Sequence, residues 1–127
     1  MLTQRYVHFI QKPKIFDDLK TGDSVAVNGV CLTLENQTDD SMQFTLGFET
    51  LQVLRLNQTQ QWTRFNSVPL NLERSLKFGD RIHGHLVTGH VDTLGIISKK
   101  QWVDSCLLIS VQIENQFKSW VWPKGSI

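Results

Sequence analysis

Asn28-Gly29 stands between two runs of alternating character, Ser24 to Val27 before it and Val30-Cys31-Leu32-Thr33-Leu34 after it. The alternation is that of strands with one face on a core, and Asn-Gly favours the positive-φ turn of a tight hairpin. Similar runs recur along the chain. Tyr6-Val7-His8-Phe9-Ile10 is predicted as one strand, Met42-Gln43-Phe44-Thr45-Leu46 as another, and Val68, Leu70 and Leu72 alternate with polar neighbours. Thr93 to Ser98 reads as a strand, Lys99 to Asp104 as a turn, and Cys106 to Ile113 as the most β-prone run.

Between these runs the pattern breaks. Ile15 to Lys20 suits a short helix or turn closing at Thr21-Gly22-Asp23, and Glu35 to Ser41 is a polar connection. Gly47 to Asn57 carries Phe48, Leu51, Leu54 and Leu56 at helical spacing, opening near Glu49 and Thr50. Gln58 to Asn66 reads as a polar loop holding Trp62. Glu114 to Trp122 is predicted as a short amphipathic helix with Phe117, Trp120 and Val121 toward the core, stopped by Pro123. About six short strands with little helix point to a small closed or nearly closed antiparallel barrel, which leaves no free edges.

At 127 residues the chain is long enough for one domain and too short for two complete ones. Thirteen basic against twelve acidic residues give a net charge of +1, with no basic block to attract nucleic acid. Cys31 and Cys106 fit no zinc or redox spacing, so free thiols in a reducing compartment are the default and a disulfide is the alternative. The sequence has no apolar run of membrane-spanning length, and its start lacks a signal-peptide core. A soluble, cytoplasmic protein is expected.

The stretch from Val68 to Asp92 carries most of the chemistry. Its last part, Gly84-His85-Leu86-Val87-Thr88-Gly89-His90-Val91-Asp92, resumes an extended pattern with glycines beside imidazoles. Residues two apart on a strand share a face, so His83, His85 and His90 invite a metal reading.

Four stretches in order resemble the amino-terminal barrel of riboflavin synthase: Gly22 to Thr33, Glu49-Thr50-Leu51, Asn71 to Asp80, and Gly84 to Asp92. The resemblance implies an all-β, six-stranded antiparallel Greek-key barrel with one or two short helices. On this reading the barrel occupies residues 1–122, with its first strand incomplete or displaced. Residues 123–127 open the linker to a second barrel, since Lys124-Gly125-Ser126-Ile127 echoes Thr21 to Val25. The implied reaction joins two molecules of 6,7-dimethyl-8-ribityllumazine into riboflavin and a 5-amino-6-ribitylamino-uracil, with no metal or redox cofactor. Non-catalytic binding of a lumazine or flavin is the alternative. The implied partners are that small molecule and further copies of the chain, a trimer if full-length and a dimer if half-length, with no nucleic acid and no membrane.

A methyl group on an electron-poor pteridine loses a proton if a modest base and oriented donors hold the anion. By resemblance His90, Cys31 and Ser24 are the catalytic candidates. Cys31, Leu32 and Thr33, then Thr45, Leu46, Gly47, Phe48, Glu49 and Thr50, then Gly89, His90 and Val91, match the ligand pocket. Lys124 matches a lysine that reaches a neighbouring subunit's ligand. Each has a plainer reading: Cys31 as a buried small apolar residue, Ser24 and Thr33 as ordinary strand residues, His85 as a backbone partner, and Glu49 and Thr50 as a helix start. His83 stands where family members carry glycine, and Leu54 replaces a polar residue.

Overall fold

The computed structural model describes residues 6–56, 68–82 and 84–126, and the chain divides into two compact units, Met1–Val91 and Asp92–Ile127. In the first unit β1 (Tyr6–Gln11) leads through a 3-10 turn at Lys14–Phe16 to β2 (Ser24–Val27), β3 (Val30–Gln37) and β4 (Ser41–Leu46). A short helix, α1 (Phe48–Val53), and a three-residue strand, β5 (Leu72–Arg74), follow. The strands pair antiparallel in the order β1-β4-β3-β2-β5. β2, β3 and β4 are consecutive, and β1 lies beside β4 after a long connection, which is Greek-key topology. The expected all-β antiparallel architecture is therefore present, with seven strands among the described residues in place of six: five in this sheet and two in the second unit.

The hairpin turn forms as its residues dictate. Asn28 and Gly29 have φ of 49° and 83°, the paired positive values of a type I′ turn. The Asn28 side chain accepts the Asn71 N–H at 2.8 Å, and the Asn28 N–H donates to the Asn71 carbonyl at 2.8 Å. These two hydrogen bonds tie the turn to the lead-in of β5, whose ladder pairs Leu72 with Val27 and Arg74 with Val25.

The core follows the period-two alternation. Val25, Leu34, Met42 and Phe44 are fully buried, joined by Ile10, Phe16, Leu19, Leu32, Leu46, Leu51 and Leu56. On β4 the buried positions alternate strictly with half-buried Ser41, Gln43 and Thr45, giving the sheet one core face and one open face.

Several sequence expectations are corrected. β3 runs on to Gln37 where a polar connection was expected, because Asn36 and Gln37 pair with Gln43 and Met42. The turn shrinks to three residues, with the Thr38 hydroxyl accepting the N–H groups of Asp40 and Ser41. The strand expected from Val68 is confined to Leu72–Arg74, since its partner β2 ends at the Asn28 turn. Gly84 to Asp92 forms no strand. The loop expected at Gln58 to Asn66 lies outside the described residues.

In the second unit β6 (Ile96–Val103) and β7 (Cys106–Gln112) form an antiparallel hairpin. The turn expected over Lys99 to Asp104 is instead two residues, with Asp104 at a φ of 53°. Lys99, Lys100 and Gln101 all belong to the strand, because both faces of this hairpin are exposed and polar residues cost nothing there. The predicted closing helix is a 3-10 segment, Asn115–Trp120. Phe117 is half-buried and meets Trp120 edge-on, but Trp120 and Val121 are exposed, since a lone hairpin offers no second layer to cover them.

One charged cluster fastens the first unit. Asp18 accepts hydrogen bonds from Arg74 (2.9 Å) and Lys77, and the Arg74 guanidinium lies 5.7 Å from the Phe16 ring centre, within cation–π range. The Lys77 and Arg74 hydrogen bonds hold the Asp18 carboxyl down to about 2, from 3.8. A carboxyl depressed in the folded state stabilises above its unfolded value and loses that contribution as pH falls through its folded value. The Tm difference between the wild type and Asp18→Asn is therefore expected to be largest above pH 3.8 and to shrink away as pH falls through about 2. Thermal unfolding of both proteins across that window checks this, and a difference persisting at the acid end would contradict it.

Candidate ligand-binding face

The open face of the sheet is set by what the core takes. Val25, Val27, Leu32, Leu34, Phe44 and Leu46 point inward, so their neighbours Ser24, Ala26, Cys31, Thr33 and Thr45 point outward. Ser24 pairs with Thr33 and Ala26 with Cys31. Thr33 and Thr45 flank the Leu34–Phe44 pair on its outward side. Small hydroxyl and thiol groups thus form a band across β2, β3 and β4.

The Gly84 to Asp92 stretch meets this band at one defined point. The Cys31 N–H donates to the Gly89 carbonyl at 2.7 Å. Gly89 has a φ of 73°, and a Cβ placed on it would lie 3.2 Å from the Cys31 Cβ. Only glycine combines that backbone angle with so close an approach. His90 and Val91 follow this contact in the chain, His90 exposed and Val91 half-buried. Ser24, Cys31, Thr33 and Thr45 thus share one face of the sheet, and the Gly89 segment of the same unit is joined to it at Cys31.

The remaining candidates divide. Leu32 and Leu46 are buried in the core, so a ligand on the outer face could meet only their backbone. Gly47 precedes α1 in extended conformation, its carbonyl accepting the Leu51 N–H at 3.0 Å. Phe48 and Glu49 in the first turn are exposed, Thr50 is half-buried, and Leu51 anchors the helix to the core. Lys124, with a φ of 63°, belongs to the second unit. His83 lies outside the described residues, and no group of three His, Cys, Asp or Glu is placed to hold a metal ion among those described.

Two side chains not singled out from sequence join this surroundings. The Ser75 hydroxyl donates to the Ser24 carbonyl at 2.7 Å, fixing the backbone at the start of β2. These two serines line a cleft of about 930 Å³ with Asp18, Arg74 and Lys77. Glu35 is the second, accepting the Thr45 hydroxyl at 2.6 Å. Neither bond has a local signal, since the partners lie 51 and 10 residues apart.

The lumazine binding domain family matches residues 4–75. The chain belongs to that family. The chain is also similar to riboflavin synthase of Schizosaccharomyces pombe, 46% identical over 96 residues, covering 72% of this chain and 42% of that protein. Riboflavin synthase of Mycobacterium tuberculosis is 36% identical over 120 residues, covering 93% and 57%. The chain spans about half the length of these curated relatives. Among solved structures, LumP complexed with riboflavin matches with a TM-score of 0.62 at 21% identity, covering 91% of this chain and 60% of that one. LumP complexed with 6,7-dimethyl-8-(1'-D-ribityl) lumazine matches at 0.61 and 22%, covering 87% and 59%. At these identities the structural likeness establishes the fold. No described helix is long and apolar enough to cross a membrane.

Proposed function

We propose that the outward face of β2, β3 and β4 binds 6,7-dimethyl-8-ribityllumazine, and that paired copies of the chain dismutate two such molecules to riboflavin and 5-amino-6-ribitylamino-uracil. The observation that carries this reading is the Cys31–Gly89 hydrogen bond. It joins two motif stretches nearly 60 residues apart, one carrying the Cys31 thiol and the Thr33 hydroxyl and the other the His90 imidazole.

In this reading the bound pteridine lies over the band with its methyl group near His90, Cys31 and Ser24. His90 is exposed and free to meet a ligand, and an imidazole can take or return a proton while hydroxyl donors hold the developing anion. A four-carbon unit passes from one lumazine to the other, so both must be bound together. One chain supplies one such face; a symmetric pair of chains would supply two facing each other. Lys124 is assigned to reach the ligand of the neighbouring copy.

The test is to add 6,7-dimethyl-8-ribityllumazine to the purified chain and follow ligand fluorescence together with riboflavin formation. Riboflavin produced in proportion to protein supports turnover by paired chains. Binding without riboflavin would reduce the function to lumazine binding, and no binding would overturn the assignment of the face. His90→Ala is expected to weaken lumazine binding about fivefold, the loss of roughly one hydrogen bond. Fluorescence titration measures it, and an unchanged Kd would remove His90 from the site.

A further inference from the structure

We infer that Glu35 is a further binding residue, selecting ligands that carry a hydroxyl-bearing chain. The inference rests on the reading of the outward face as the ligand site. Its own ground is a break in the β3–β4 ladder: Leu34 pairs with Phe44, but the next pair is Asn36 with Gln43. Glu35 is the extra residue. A bulge of this kind turns a side chain out of its regular direction, and here it brings the carboxylate across to Thr45, whose hydroxyl donates to Glu35 Oε2 at 2.6 Å.

That distance falls in the range of hydroxyl-to-carboxylate bonds. An ionised carboxylate only accepts, with about four lone-pair directions on two oxygens. Thr45 occupies one of them. Glu35 is exposed and enters no ion pair among the described residues, so the remaining acceptor capacity faces whatever lies on the sheet. Such a group favours a partner rich in O–H donors. Neighbouring hydroxyls of a sugar-alcohol chain offer two of these at once, whereas the ring's one imide N–H is flanked by two carbonyls that a carboxylate would repel. Thr33, on the same face beside Thr45, adds a hydroxyl that can either donate or accept. Glu35, Thr45 and Thr33 together therefore suit the polyol end of a ribityl-pteridine, leaving the ring toward Cys31 and His90.

The experiment compares two ligands, 6,7-dimethyl-8-ribityllumazine and its 8-ethyl analogue, by fluorescence titration of the wild type, Glu35→Gln and Glu35→Asp. Glu35→Gln keeps the size but loses the charge; Glu35→Asp keeps the charge but draws it back from Thr45. Both are expected to weaken the ribityl ligand about tenfold, the scale of a charged hydrogen bond, and to leave the ethyl analogue unchanged. Equal weakening of both ligands, or of neither, would overturn the assignment of Glu35 while the face as a whole stands. Failure of the wild type to bind either ligand would overturn the face itself, and Glu35 with it.

Discussion

Alanine in place of Phe44 is expected to lower the unfolding free energy of the first unit by about 3–5 kcal/mol, the usual range for emptying a buried phenylalanine site. Phe44 is fully buried at the centre of β4, a strand flanked by β1 and β3. It stands opposite His8 on β1 and Leu34 on β3, so the vacancy would loosen both ladders at once. A pleated backbone hydrogen-bonded on two sides has little room to collapse inward, which keeps the cost near the upper part of the range. Phe48→Ala is the control, because that ring is 59% exposed and its removal takes little apolar area out of the core. Denaturant unfolding of the two variants separates the cases; a small loss for Phe44→Ala would mean that β4 is not the centre of the core.

Most of that core was legible because it rests on local physics. Asn28-Gly29 specifies its turn through backbone conformation, and the alternations in Val25 to Leu34 and Met42 to Leu46 specify which face is buried. The short helix after Gly47 follows from the spacing of Leu51 and Leu54. What was not legible depends on partners distant in sequence. Glu35 sits in a polar run that reads as a connection, and only its ladder with β4 makes it a bulged strand residue. Asp18 gives no hint that its cations lie at Arg74 and Lys77, 56 and 59 residues away. Lys99 to Gln101 read as a turn because polar residues in a strand are unremarkable only when both faces are exposed. The candidate site divides the same way: Ser24, Cys31 and Thr33 lie on the hairpin that the sequence predicts, whereas the meeting of Gly89 with Cys31 is a tertiary contact that residue types alone could not specify.

That contact is the place where a single methyl group should do most harm to the proposed site. Gly89→Ala is expected to weaken lumazine binding about ten- to a hundredfold, corresponding to the roughly 1–3 kcal/mol held by a residue forced into an unfavourable backbone region. Two effects act together there. The φ of 73° is one that alanine rarely adopts, and the new Cβ would lie 3.2 Å from the Cys31 Cβ and 3.6 Å from the Gly29 carbonyl oxygen. The segment can relieve both by retreating from the hairpin, which breaks the Cys31–Gly89 hydrogen bond and carries His90 away with it. Gly79→Ala isolates the backbone term, since Gly79 has a φ of 95° but nothing within 4 Å of its added Cβ. That variant is expected to lose some stability and keep its lumazine affinity. If Gly89→Ala bound lumazine as the wild type does, His90 would owe nothing to this contact; if Gly79→Ala lost affinity equally, the loss would be one of folding, and the site would have to be sought elsewhere on the sheet.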